Sequence, residues 1–221
     1  MKKIVTLVLA SFSVVLGLSS AATVTISATA PTVDGADIAN DNGAVDAGGD
    51  QGHVWSNRPH QGQTFTTGSN AGGYQLNAVT MKNLNNNISN SPTHNVVVGS
   101  VVGTVMTQIG STETATVPNY APLDYLTFIF DTPLTLNANT TYGFMWGSAA
   151  AGFVTVNNLD DSTYGGGTAI GSGDNNVPDL ANVIPRNVDR VFHADIDAVP
   201  EPSTALLGLG GLALALRRRR S

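Results

Sequence analysis

The chain has 221 residues, of which 42% are hydrophobic and only 12% are charged, and it contains no cysteine. Six of its ten basic residues lie at the two ends of the chain. Residues 23–199 therefore hold four basic against fifteen acidic side chains, a formal charge of −11. This charge argues against nucleic acid as a partner. Without disulfides, the stability of this segment must come from a hydrophobic core, with or without bound ions.

The N-terminal segment, residues 1–22, has the three parts of a secretory signal peptide. Lys2 and Lys3 supply positive charge, residues 4–18 are apolar, and residues 19–22 are small side chains of the kind found at cleavage sites. The alternative is an uncleaved membrane anchor, but the apolar core is short for one. The sequence therefore predicts export, with signal peptidase cutting after Ala21 or Ala22.

Short β-branched and aromatic runs follow, separated by Gly, Asn, Asp and Pro, and no sustained helical period appears. Predicted strands cover residues 22–28, 63–67, 76–84, 96–109 (two runs meeting near Gly103), 124–130, 141–147, 153–156 and 190–197. The pattern predicts an all-β fold, an antiparallel β-sandwich of jelly-roll-like type. Residues 23–60 would form an N-terminal strand and an acidic loop, and residues 61–198 the sandwich itself.

Four segments in this region resemble the jelly-roll ectodomains of exported bacterial proteins whose C-terminal anchors vary. They are Gly62-Gln-Thr-Phe65, the Leu134–Phe144 strand–turn–strand, Asp161-Ser-Thr-Tyr-Gly-Gly-Gly167 and Arg190-Val-Phe192. The resemblance covers residues 61–196 and implies a fold, but it brings no catalytic residues.

An acidic, glycine-rich loop precedes the sandwich. Its five aspartates are Asp34, Asp37, Asp41, Asp46 and Asp50. Carboxylates in a flexible loop suit Ca²⁺, although their spacing does not match an EF-hand. The favoured alternative is a solvated acidic loop without a metal.

Few residues suggest catalysis. His53 and His60 lie in one loop and could meet as a metal pair, but solvated histidines are the more common outcome. His193 is expected to point outward, because Phe192 takes the opposite face of the last strand. No Gly-x-Ser-x-Gly elbow occurs, and a glycosidase would depend largely on aspartates, since Glu113 and Glu201 are the only glutamates.

Aromatic side chains in loops are the better candidates for contacts with a sugar ring. Trp55 and Tyr164 lie in predicted loops, so their rings are expected at the surface. Trp146 and Tyr142 alternate along a predicted strand and are expected to pack in the core. Trp55 and Tyr164 are therefore the predicted ligand contacts.

The C-terminal residues 199–221 have three parts in a fixed order. Pro200, Glu201 and Pro202 cannot continue a sheet ladder and stay extended. Residues 203–216 are an uncharged run about 21 Å long as a helix, which is short for a membrane span but has no polar face. The chain then ends in a basic cluster that would stay on the cytoplasmic side, namely Arg217, Arg218, Arg219 and Arg220.

This order resembles the PEP-CTERM sorting signal of Gram-negative bacteria. The resemblance implies that exosortase recognises Pro200, Glu201 and Pro202, that residues 203–216 span the membrane temporarily, and that the arginines retain the tail. It also implies an association with exopolysaccharide in the cell envelope or extracellular matrix. We therefore expect an exported, non-enzymatic protein. The alternatives are a secreted carbohydrate-active enzyme with the same tail and a passive matrix protein.

Overall fold

The computed structural model describes residues 21–41, 52–55, 58–84, 91–148, 152–155, 157–158, 164–173 and 178–201. The β-branched and aromatic runs in these residues form fifteen strands. In chain order they are β1 (Thr23–Ser27), β2 (Ile38–Asn40), β3 (Gly52–Val54), β4 (His60–Thr66), β5 (Tyr74–Lys82), β6 (Thr93–Val102), β7 (Val105–Thr116), β8 (Tyr125–Leu136), β9 (Thr141–Ser148), β10 (Phe153–Thr155), β11 (Asn157–Asn158), β12 (Ala169–Ser172), β13 (Ile184–Pro185), β14 (Asp189–Arg190) and β15 (Phe192–Ala198).

Two antiparallel sheets make up most of the fold. The first sheet has the order β1-β8-β5-β15-β2, and the second has the order β13-β12-β4-β9-β6-β7. Two short ribbons, β10-β3 and β11-β14, pair separately from them. All strand pairs are antiparallel, so the predicted all-β class is confirmed and the arrangement is consistent with the predicted β-sandwich. The finer expectation of jelly-roll connectivity stays a prediction.

The core lies between the inner faces of the two sheets. From β9, Tyr142, Phe144 and Trp146 point inward, and Phe128 on β8 packs edge-on against Trp146 with ring centroids 5.7 Å apart. Phe192 on β15 meets Phe144 at 6.1 Å. Alternate side chains of a strand face opposite sides of its sheet, so the predicted core positions of Tyr142 and Trp146 are confirmed.

The sandwich has two ends, which carry different parts of the chain. At the first, here called the His60 end, β4, β6, β8 and β15 begin. At the second, the Gly73 end, tight turns join β4 to β5, β6 to β7 and β8 to β9. Gly73 adopts a φ of +76° in the first of these turns, a conformation that favours glycine. The last strand, β15, runs from the His60 end to the Gly73 end.

Several strands were not foreseen in the sequence. β2, β3 and β12 are short, and each owes its strand conformation to pairing with a distant partner. β8 is a single strand as far as Leu136, although the sequence predicted its end at Phe130; its pairing with β5 shifts register between Leu76 and Ala78. Such irregularities depend on the partner strand and are not visible in one run of residues.

Some predictions fall on residues outside those that the structure describes. They are the signal peptide up to residue 20, the apolar run 203–216, Pro202, Asp46, Asp50 and the four terminal arginines. Within the described ranges, no helix has the length and apolar character needed to cross a membrane.

Candidate functional site

The last strand leads directly into Pro200 and Glu201 at the Gly73 end. β15 pairs with β5 as far as Ala198, and the N–H of Val199 then donates to the carbonyl of Gly73 at 3.0 Å. Pro200 has no N–H with which to extend this ladder, and both Pro200 and Glu201 are exposed. The first two residues of the predicted recognition tripeptide therefore stand at the surface, directly after the folded domain.

A β-sandwich followed directly by an exposed Pro-Glu segment, an apolar run and terminal arginines is typical of an exported protein with a C-terminal sorting signal. Residues 198–220 match the family model described as the PEP-CTERM protein-sorting motif. The chain therefore carries this sorting signal, as its three-part tail predicted. No curated protein and no solved structure matches the chain at a significant level.

The matched residues make up about a tenth of the chain. They imply recognition by exosortase and a location in the envelope or at the surface of a Gram-negative bacterium. The molecular role of the β-sandwich lies outside the matched residues and has to follow from its own geometry.

His53 on β3 and Trp55, which directly follows β3, lie at the His60 end. Gly52 and Val54 are buried, whereas His53 and Trp55 are half-buried, so the two side chains alternate away from the core. Phe153 of β10 pairs opposite Val54, and its ring meets that of Trp146 at 5.4 Å. The inner face of the β10-β3 ribbon thus packs against the core. Its outer side carries His53 and Trp55, here called the His53–Trp55 face.

The charge near the His53–Trp55 face differs from that of the domain as a whole. Burial, together with the nearby Arg58 and Arg190, holds the pKa of His53 below its usual value of 6.5. The imidazole is therefore neutral at pH 7 and can both donate and accept a hydrogen bond. Arg58 is exposed, and its backbone N–H donates to the carbonyl of Trp55 at 3.3 Å. An indole ring, a neutral imidazole and a guanidinium group lie together in a domain that is otherwise strongly acidic.

Tyr164 lies in different surroundings from Trp55. It is in a loop, as predicted, but its ring is half-buried and packs edge-on against Phe192 with centroids 5.3 Å apart. Its hydroxyl oxygen accepts a hydrogen bond from the N–H of Thr66 at 3.4 Å, and burial raises the pKa of this hydroxyl. Thr66 ends β4 at the Gly73 end, so the structure does not bring Tyr164 and Trp55 together on one face.

Asp37, one of the predicted Ca²⁺ ligands, has structural partners. Its Oδ1 accepts a hydrogen bond from the N–H of Ile196 at 2.7 Å, and its Oδ2 lies 3.1 Å from His193 Nε2. His193 does face away from Phe192, but the turn of Asp34 to Asp37 folds over that face and leaves it only 6% exposed.

The other aspartates of the acidic loop do not converge on Asp37. Asp41 Oδ2 accepts a hydrogen bond from the hydroxyl of Tyr125 at 2.6 Å, whereas Asp34 is exposed. Among the residues that the structure describes, no group of three or more His, Asp or Glu side chains is placed to hold a metal ion. Asp46 and Asp50 lie outside these residues, so Ca²⁺ binding by the loop stays a prediction.

The sequence did not reveal a cleft on the outer face of the first sheet. It has a volume of about 420 Å³, and the residues that line it include Pro31, Val33, Tyr125 and His193. Its walls come from the segment before β2 and from the starts of β8 and β15, which lie far from that segment in the chain. No local motif could have predicted their meeting.

The sequence also did not reveal a buried polar network beside β4. Arg190 is 2% exposed, and its Nη2 donates to Gln61 Oε1 at 2.7 Å. The N–H of Arg190 donates to Gln63 Oε1 at 2.8 Å, and Gln63 Nε2 donates to Asp189 Oδ1 at 2.9 Å. Burial raises the pKa of Asp189. The sequence did hold one sign of this network. Gln61 and Gln63 are four and two positions before the core residue Phe65, so alternation along the strand puts both glutamines on the inward face.

His60 was expected to be a solvated loop histidine, and this expectation was wrong. It begins β4, is 1% exposed, and its Nε2 lies 2.7 Å from Asn95 Oδ1. Its Nδ1 is buried without a hydrogen-bond partner among the described residues. Asn95 Oδ1 can only accept, so Nε2 carries a proton, and burial lowers the pKa of the ring, so the folded state holds His60 neutral.

The burial of His60 predicts a loss of stability in mild acid. Burial holds its pKa below the usual 6.5, and the hydrogen bond to Asn95 only partly offsets this. The unfolded chain therefore takes up the proton first as the pH falls. The stabilising contribution of neutral His60 is complete above pH 6.5 and is lost as the pH falls through the folded-state pKa.

We expect the melting midpoint to fall between pH 8 and pH 5, and to fall less in His60→Gln. Comparing the two proteins across the same pH range separates His60 from Asp189, whose raised pKa acts in the opposite direction. An equal fall in both proteins would contradict the assignment.

Proposed function

We propose that the protein is a non-enzymatic component of the cell envelope or extracellular matrix, and that its β-sandwich binds a neutral exopolysaccharide through the His53–Trp55 face. In this proposal residues 1–22 direct export and are removed by signal peptidase. Residues 203–216 hold the protein in the membrane until exosortase acts. The observation that carries the proposal is the position of the His53–Trp55 face, at the end of the sandwich opposite the sorting tail.

The separation of the two ends supports this role. β5 crosses the sandwich in nine residues, so the His60 end lies roughly 27 Å from the Gly73 end at about 3.4 Å per residue. A protein held through its tail would turn the Gly73 end toward the attachment point. The His53–Trp55 face would then point into the surrounding matrix, where a polymer can reach it.

The chemistry of the face supports a neutral ligand. A formal charge of −11 over residues 23–199 repels polyanions. An indole ring can stack on the apolar face of a sugar, and a neutral imidazole can exchange hydrogen bonds with hydroxyl groups. Arg58 supplies further donors to uncharged oxygens.

Replacing Trp55 by alanine tests the proposal. We expect the dissociation constant for extracellular polysaccharide purified from the host to rise about tenfold or more, because a stacked aromatic anchor is lost. The melting midpoint should change little, since the ring is not part of the buried core. Leu123→Ala is a matched control, because Leu123 is 42% exposed and lies two residues before β8 at the His60 end. This control should bind like the wild type.

Three results would contradict the proposal in different ways. Unchanged binding by Trp55→Ala would remove the His53–Trp55 face as the site. Soluble sugar products released from a polysaccharide panel by the wild type would favour a carbohydrate-active enzyme. A wild-type protein that retains no polysaccharide would favour a passive matrix protein.

A further inference from the structure

The turn between β4 and β5 holds the residue that precedes the sorting tripeptide. The side-chain amide of Asn70 donates to the carbonyl of Val199 at 2.8 Å and to the carbonyl of Gly73 at 2.6 Å. The N–H of Val199 donates to the carbonyl of Gly73. Both backbone polar groups of Val199 are therefore bonded to this turn. The turn is itself braced, because the N–H of Asn70 donates to the hydroxyl of Tyr74 at 3.0 Å.

Gly72 allows the tail to lie directly against this turn. A Cβ atom at position 72 would stand 2.3 Å from the carbonyl oxygen of Val199 and 3.1 Å from that of Pro200. The first distance is far inside van der Waals contact with a backbone atom that cannot move without displacing the tail. The tail can therefore lie against this turn only because residue 72 has no side chain. We call residues 70–73 the tail clamp.

We propose that the tail clamp is a binding site for the chain's own sorting segment and that it slows processing, because Val199 must leave it before exosortase can act. Peptides commonly bind to proteins as extended strands, through their backbone N–H and C=O groups. Val199 lies one residue before the tripeptide, and its backbone N–H and C=O groups are already hydrogen-bonded to the clamp. The rate of cleavage would then be proportional to the small population of molecules in which Val199 is released.

The short distance from the clamp to the apolar run strengthens this inference. Val199 and Ser203 are four positions apart, and the chain between them spans at most about 14 Å when fully extended. With residues 203–216 in the membrane, a clamped tail therefore holds the Gly73 end close to the lipid surface. The turns at this end, residues 67–73, 102–105 and 137–141, contain no charged residue, so none of them brings a charge close to the lipid surface. Release of Val199 would give the enzyme the room that it needs.

Two substitutions loosen the clamp by different means. Gly72→Ala introduces the steric conflict with Val199, and Asn70→Asp replaces the amide donor by a carboxylate facing two carbonyl oxygens. We expect each to speed the conversion of full-length precursor to mature protein about fivefold in the native host, as loss of one net hydrogen bond predicts. Pulse labelling followed by intact-mass analysis measures this rate.

Matched controls separate the clamp from general effects of the same changes. Gly165→Ala adds the same methyl group where nothing lies within 4 Å. Asn139→Asp adds the same charge at the Gly73 end, on an exposed residue whose backbone N–H bonds to Gly68. Both controls should be processed at the wild-type rate. Precursors purified from a strain that lacks exosortase should show whether any variant changes the melting midpoint.

A spacer gives an independent test if Gly72→Ala folds poorly. Inserting Gly-Ser-Gly-Ser between Val199 and Pro200 leaves the clamp intact but moves the tripeptide away from it. We expect this protein to be processed faster than the wild type, and Asn70→Asp should add nothing to its rate. Unchanged processing in Asn70→Asp and in the spacer protein would overturn the proposal. Slower processing would also overturn it, because the clamp would then be an element that the enzyme recognises.

Discussion

Trp146→Ala is expected to lower the free energy of unfolding by about 3–5 kcal/mol, the usual cost of emptying a buried aromatic site. Trp146 is fully buried between the sheets, with the rings of Phe128 and Phe153 at 5.7 and 5.4 Å. Its Nε1 donates to His94 Nδ1 at 2.9 Å, so truncation also leaves a buried acceptor without its donor. Urea denaturation of the purified protein measures the change.

The control for this prediction is the other tryptophan. Trp55→Ala removes the same side chain from a half-buried position, and the cost should stay below about 1 kcal/mol. Similar losses at the two positions, or a loss at Trp146 below about 1 kcal/mol, would contradict the contrast between a core ring and a surface ring.

The second large effect is expected at the C-terminus. Mature protein recovered from the host should lack residues 206–221, because we expect exosortase to cut near Pro200-Glu-Pro202 and to release the apolar run and the arginines. Intact-mass measurement distinguishes the two forms directly. The same protein from a strain without exosortase should keep the full tail. A complete tail on the mature protein from the normal host would instead indicate a permanent membrane anchor.

These two predictions concern different parts of the chain. The tail acts through a short segment read by another protein, and residues 198–220 suffice to identify it. The sandwich places Trp146 in its centre and Trp55 on its surface. A stable domain is needed for both proposals, since the His53–Trp55 face and the tail clamp are attached to strands that the core holds in place.

The sequence by itself determined the class of fold and the sorting signal. Alternation along β9 and β15 predicted that Tyr142 and Trp146 pack in the core and that His193 points away from Phe192, because side chains of a strand alternate between the faces of its sheet. The turn near Gly103 was also visible, since a glycine there separates two β-branched runs. The tail could be identified because its three parts are contiguous, so no folding is needed to bring them together.

Only the tertiary structure decided the environment of the polar residues. His60 and His193 are buried by segments distant in the chain, and neither alternation nor composition reports what covers the outer face of a sheet. Tyr164 is in a loop, yet its ring packs against Phe192 of the last strand. Asn70 and Val199 are far apart in the chain and meet only because β5 and β15 are neighbours in one sheet. Contacts of this kind depend on sheet order and strand register, which a single sequence does not specify.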